Sequence, residues 1–193
     1  MNNIANREAA EEVLTALGEQ LATLRESYEL VVVGGSGLLV LGAIERATRD
    51  VDVVALRSDA GLENPDPLPK PLRQARDRVA RDFSLPQTWL NAGPASLLDF
   101  QLPTGFLDRV ESHSYGEHLT VHFASRLDQI HFKLYAAVDA GPGKHSQDLE
   151  ALTPTAEELL QAAQWTRTHD PSPGFEEVLR RVLAHYGVDD ADF

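Results

Sequence analysis

The sequence predicts an α+β fold, α/β-like in its first half: a small mixed sheet of about four or five strands flanked by helices, with further helices at the C-terminus. Three observations carry this. The run Leu30-Val31-Val32-Val33 is β-branched and apolar without alternation, which suggests a strand covered on both faces. It stops at Gly34-Gly35 and resumes as an apolar helical pattern. Amphipathic stripes at three- and four-residue spacing precede it and dominate the last third of the chain. Residues 1–152 are expected to form the main domain, with residues 153–193 a helical appendage packed on it.

Before the glycines, Val13, Leu14, Leu17, Leu21 and Leu24 stripe a helix over Ala10 to Leu24. After them, Ser36 to Arg46 continues as helix, and Val51 to Leu56 is a second strand with Asp52 inside it. Arg57 to Leu68 collects Asp, Asn, Gly and Pro and is expected to be a surface loop. Pro71 suits the first turn of a helix running to Phe83, with Leu72, Ala75 and Val79 on one face. Leu85 to Pro94 is a second loop, Ser96 to Leu102 a short strand, and Leu119, Val121 and Phe123 alternate in a clearer one. A helix is expected from Ser125-Asp128 to about Val138, ended by Gly141-Pro142-Gly143. Thr155 and Glu158 have capping-box spacing, and Phe175, Val178, Leu179, Val182 and Tyr186 stripe a last helix.

Seventeen Lys and Arg against 30 Asp and Glu give a formal net charge of −13, which disfavours an extended nucleic-acid-coating surface. The absence of cysteine removes disulfides, thiolate nucleophiles and Cys-ligated zinc together. No apolar run approaches a membrane span, and Met1 to Glu12 is polar and acidic rather than leader-like, so a cytoplasmic location is expected. The seven histidines show no zinc spacing and receive no role.

The chemistry is concentrated in Gly34-Gly35-Ser36-Gly37 and in Asp50-Val51-Asp52. A buried strand that ends in glycines and opens a helix offers backbone N–H groups to a phosphate, with the Ser36 hydroxyl as a further phosphate contact or a helix cap. A dinucleotide fingerprint is excluded because Val40 stands where its third small residue belongs, and a nucleophile elbow fails at Leu38. Asp50 and Asp52, two apart on a strand, project to one face, and two converging carboxylates make a hard oxygen site suited to Mg²⁺ that also holds phosphates.

These residues, with Arg46-x-Thr48 before them, resemble the minimal nucleotidyltransferases of the DNA polymerase β-like superfamily, especially the bacterial toxin–antitoxin and abortive-infection types. The resemblance covers roughly Leu30 to Leu152. It implies a third carboxylate from a neighbouring strand, matched by Asp99 in Leu97-Leu98-Asp99-Phe100. It also implies a triphosphate contact at Lys133 and a companion at Asp148. On this resemblance Asp50, Asp52 and Asp99 are the catalytic and metal-binding set for Mg²⁺ or Mn²⁺, while Gly34, Gly35, Ser36, Lys133 and Asp148 bind the nucleotide. The implied reaction moves an NMP from an NTP to an acceptor hydroxyl on a tRNA, a protein or a small molecule, with pyrophosphate leaving. The implied partners are an antitoxin or a second copy of the chain. A catalytically inactive nucleotide- or protein-binding module is the alternative.

Overall fold

In the computed structural model the first helix, α1 (Arg7–Leu24), starts where Asn6 accepts the Ala9 N–H. The structure describes residues 3–99 and 101–188; Met1, Asn2, Phe100 and residues 189–193 lie outside it. The chain divides into two compact units, residues 1–125 and 126–193.

The first unit holds the sheet. Its strands are β1 (Tyr28–Val33), β2 (Val51–Ser58), β3 (Gly61–Glu63), β4 (Leu90–Asn91), β5 (Glu111–Ser114) and β6 (Leu119–Phe123). Among the described residues they form one mixed sheet in the order β3-β2-β1-β6-β5, with β4 paired to β2. The valine-rich strand occupies the middle, as its lack of alternation predicts: Leu30 to Val33 are all buried. It runs antiparallel to β2 and parallel to β6. Burial of the α1 stripe Val13, Leu14, Leu17 and Leu21 sets that helix against α3 (Lys70–Asp82) and α2 (Gly34–Val40). Each fully buried leucine or valine contributes on the order of 1.5–3 kcal/mol, so this interior fixes the sheet on which the polar groups are mounted.

Several local expectations are corrected. The second helix begins two residues early, at Gly34, and ends at Val40 rather than Arg46, because Gly42 takes a left-handed conformation (φ 70°) and closes the helix through Gly42 N–H to Leu39 O. Ser96 to Leu102 is not a strand. Pro94 lacks an N–H and has φ preset for a helical turn, so a 3₁₀ turn (Gly93–Ala95) leads into α4 (Ser96–Asp99); Phe100 lies outside the described residues. The supposed loops contain β3 and β4, and β5 forms an edge; all three are too short or too polar to show alternation. A one-turn helix, α5 (Phe106–Arg109), precedes β5.

The second unit contains α6 (Arg126–Ala140), α7 (Lys144–Ala151), α8 (Ala156–His169) and α9 (Pro173–His185). Thr155 and Glu158 form the expected capping box on α8, and Phe175, Leu179 and Leu183 are the buried face of α9. Arg126 ties α7 to α8 by donating to the carbonyls of Leu152 and Thr153 and to the Glu158 carboxylate. Among the described residues no helix is long and apolar enough to cross a membrane.

Candidate functional site

Register brings the glycine turn and the second aspartate together. The last residue of β1, Val33, is the pairing partner of Asp52 on β2, so Gly34 follows immediately beside that carboxylate. Gly34 has φ 81°, and a Cβ there would lie 2.6 Å from Asp52 Oδ2. Both facts demand glycine: backbone conformation and close approach coincide at one residue. At Gly35 a Cβ would stand 2.8 Å from Thr48 Oγ1 and 3.8 Å from Arg46 Nη2. The turn is therefore crowded on one side by a carboxylate and on the other by a hydroxyl and a guanidinium.

Thr48 connects this wall to the first aspartate. Its hydroxyl lies 3.2 Å from Asp50 Oδ1, and its backbone is pinned by reciprocal N–H···O bonds of 2.9 Å to Ile4, a buried residue ahead of α1. Asp50 precedes β2 by one residue and Asp52 is the second residue of it; both are half-buried. On the other flank Asn91 of β4 pairs with Asp52 and donates its Nδ2–H to Asp52 Oδ1 at 3.0 Å. Gly34, Gly35, Arg46, Thr48, Asp50, Asp52 and Asn91 thus form one cluster at the end of β1 and the beginning of β2. Its oxygens are hard donors, and glycines form one wall, the combination that admits a divalent cation and the phosphates it carries.

The other expected residues lie as follows. Ser36 is fully buried as the third residue of α2, so it does not cap the helix, and its Oγ has no hydrogen-bond partner. Asp99 is exposed at the end of α4, a helix that packs against β2. Among the described residues no group of three or more His, Asp or Glu side chains is placed to hold a metal ion. In the second unit Lys133 and Asp148, paired by expectation, are paired in space: Nζ to Oδ2 is 2.7 Å, with side chains 6% and 1% exposed. Burial at that level makes the pair a neutralised interior contact.

Three members of the cluster were not among the expected site residues: Arg46, Thr48 and Asn91. Arg46 and Thr48 stood inside the quoted motif, and only the fold of the connection after α2 turns them toward Gly35. Asn91 left one local trace, an Asn two residues before a glycine, the pattern of an Asx turn. Here Asn91 Oδ1 accepts the Gly93 N–H at 2.7 Å.

A family model described as a nucleotidyltransferase of unknown function (DUF6036) matches residues 12–153 of the chain. No curated protein and no solved structure matches it.

Proposed function

We propose, given that this chain belongs to the family of nucleotidyltransferases of unknown function, that it transfers an NMP from an NTP to an acceptor hydroxyl with a divalent cation held by Asp50 and Asp52. The observation that carries the reading is the close approach of Asp52 Oδ2 to Gly34, 2.6 Å from where a Cβ would stand. It sets a carboxylate against a glycine wall, as binding a cation and a polyphosphate together requires. Mg²⁺ or Mn²⁺ fits the oxygen donors present, and it would neutralise charge on the attacking and leaving oxygens of an in-line displacement. Gly34 and Gly35 let the Asp52 carboxylate and the Thr48 hydroxyl close against the turn. The Arg46 guanidinium beside Gly35 adds positive charge on the phosphate side, where a triphosphate carries most of its negative charge. Thr48 and Asn91 hold the two carboxylates.

Asp99, on a helix packed against the same strand, is proposed as the acceptor-side carboxylate. The glycine turn after the central strand, facing an aspartate pair at the start of the next, supports placement in the DNA polymerase β-like superfamily. The acceptor is proposed to be a tRNA end, a protein side chain or a small molecule; a net charge of −13 weighs against a broad RNA footprint. We assign the protein a toxin role within a toxin–antitoxin pair on the resemblance alone.

The test is transfer of label from each α-³²P NTP, with Mg²⁺ or Mn²⁺, to components of a cell extract. Label appears with the wild-type chain and is lost with Asp52→Ala. Absence of transfer with all four nucleotides and both cations overturns the reading. The alternative, nucleotide binding without transfer, is favoured by the lack of a group of three metal-binding side chains among the described residues. It predicts cation-dependent NTP binding by calorimetry in a chain that transfers nothing.

A further inference from the structure

We propose that Asn91 is a positioning residue that sets the Asp52 carboxylate for cation binding, and that Gly93 and Trp89 exist to hold Asn91 in that role. The inference rests on Asp52 as a cation ligand in the function proposed above.

The Asp52 carboxylate is held at one oxygen and lies close against the glycine turn at the other. Oδ1 accepts Nδ2–H of Asn91 at 3.0 Å, and Oδ2 lies over Gly34. Rotation of the carboxylate would break the Asn91 hydrogen bond. A ligand oriented before its cation arrives avoids the entropy loss of ordering it on binding, and outer groups that orient metal ligands are worth about 10–100-fold in affinity.

Asn91 is itself unable to turn. Its Oδ1 accepts the Gly93 N–H at 2.7 Å, and its Nδ2 also points at Thr88 O, 3.5 Å away. Flipping the amide would face Nδ2 with the Gly93 N–H and Oδ1 with the Asp52 carboxylate. Donor would meet donor and acceptor would meet acceptor, so the network admits one orientation. Gly93 completes the lock from outside: a Cβ at that residue would lie 2.8 Å from Asn91 Oδ1. The amide can sit where it does only because residue 93 has no side chain.

A strand of two residues would not normally hold a side chain still, and β4 is that short. It is anchored one residue earlier. Trp89 is fully buried, its indole N–H donates to Arg76 O of α3 at 3.1 Å, and its carbonyl accepts Val51 N–H at the start of β2. Trp89 thereby fastens β4 to both α3 and β2, leaving Asn91 beside Asp52 with little freedom.

The residue type matters as much as the place. An amide gives Asp52 a donor without adding charge, so it holds one oxygen without itself replacing a cation. A carboxylate at residue 91 would face Asp52 with a like charge, a repulsion that a bound cation relieves at neutral pH.

Mn²⁺ alone is the probe, followed by loss of the free-ion EPR signal, with Tm measured for each chain with and without Mn²⁺. Wild type binds and Asp52→Asn does not. Asn91→Ala weakens Mn²⁺ binding by about tenfold, and Gly93→Ala weakens it in the same direction through the displaced amide, each with Tm in the absence of Mn²⁺ close to wild type. Asn91→Asp lowers Tm without Mn²⁺ and shows a larger Mn²⁺-induced rise than wild type, a response that a purely structural asparagine would not produce. If wild type and Asp52→Asn behave as stated while Asn91→Ala and Gly93→Ala bind like wild type, the positioning role is overturned and the proposed function stands. If wild type binds no Mn²⁺, both fall. Should Asn91→Ala fail to fold, Gly93→Ala and Asn91→Asp decide the question.

Discussion

Two charged centres among the described residues are built in opposite ways. Lys133 and Asp148 in the helical unit are buried to 6% and 1% exposure and neutralise each other at 2.7 Å. Asp50 and Asp52 in the sheet unit are half-buried, and the Thr48 hydroxyl and the Asn91 amide are among the groups that orient them. An interior ion pair is a finished interaction, since the local charge is spent within the protein. Half-buried carboxylates beside a glycine wall stay within reach of a cation from solvent. The difference separates charge that holds the fold from charge available for chemistry, and each side of it can be broken separately.

The largest expected effect is on the buried pair. Lys133→Met leaves Asp148 charged in the interior and should lower unfolding free energy in urea by about 3–5 kcal/mol, whereas Lys133→Met with Asp148→Leu should recover most of the loss. A double variant as unstable as the single would show that the pair does more than neutralise itself. Asp52→Asn inverts the pattern: nucleotidyl transfer falls by at least about 100-fold, while Tm changes by no more than a few degrees.

Gly34→Ala sits between these. Its left-handed conformation costs about 1–2 kcal/mol for a residue with a Cβ, and the new methyl displaces Asp52 Oδ2, so transfer should fall by more than the stability loss explains. Asp99→Asn is expected to reduce transfer less than Asp52→Asn; an equal loss would make the exposed residue an equal partner in the site. The smallest effect is electrostatic. The Arg126 hydrogen bond, with help from the Thr155 backbone, holds Glu158 below its ordinary value of 4.5 against the opposing effect of burial. A lowered carboxylate stabilises the fold above its ordinary value and loses that contribution as pH falls through the lowered one. The Tm difference between wild type and Glu158→Gln should therefore be present at neutral pH and shrink below about pH 4.5.

Much of this was legible along the chain. The valine run identified the middle strand because a strand covered on both faces cannot alternate. Asp50 and Asp52 stood out because carboxylates are rare beside buried valines, and the Thr155–Glu158 box because capping is local. The misses share a cause. Asn91 and β4 gain their structure from pairing with a strand about 39 residues away, and β3 and β5 are short, polar arms of hairpins, so their own residues show little periodicity. His122 is a further case: assigned nothing from spacing, it lies buried between Ser112 at 2.7 Å and Glu29 at 2.9 Å because three strands meet there.

The sequence by itself determined the α+β class, the central strand, the glycine turn, the aspartate pair and the main helical stripes, all of which follow from periodicity, backbone freedom and residue type within a few positions. Tertiary structure alone decided which groups surround the aspartates. Register set Val33 against Asp52 and Asn91 beside it, and the Ile4 bridge fixed Thr48. Such contacts join residues tens of positions apart, and they depend on how strands align rather than on any pattern within one of them.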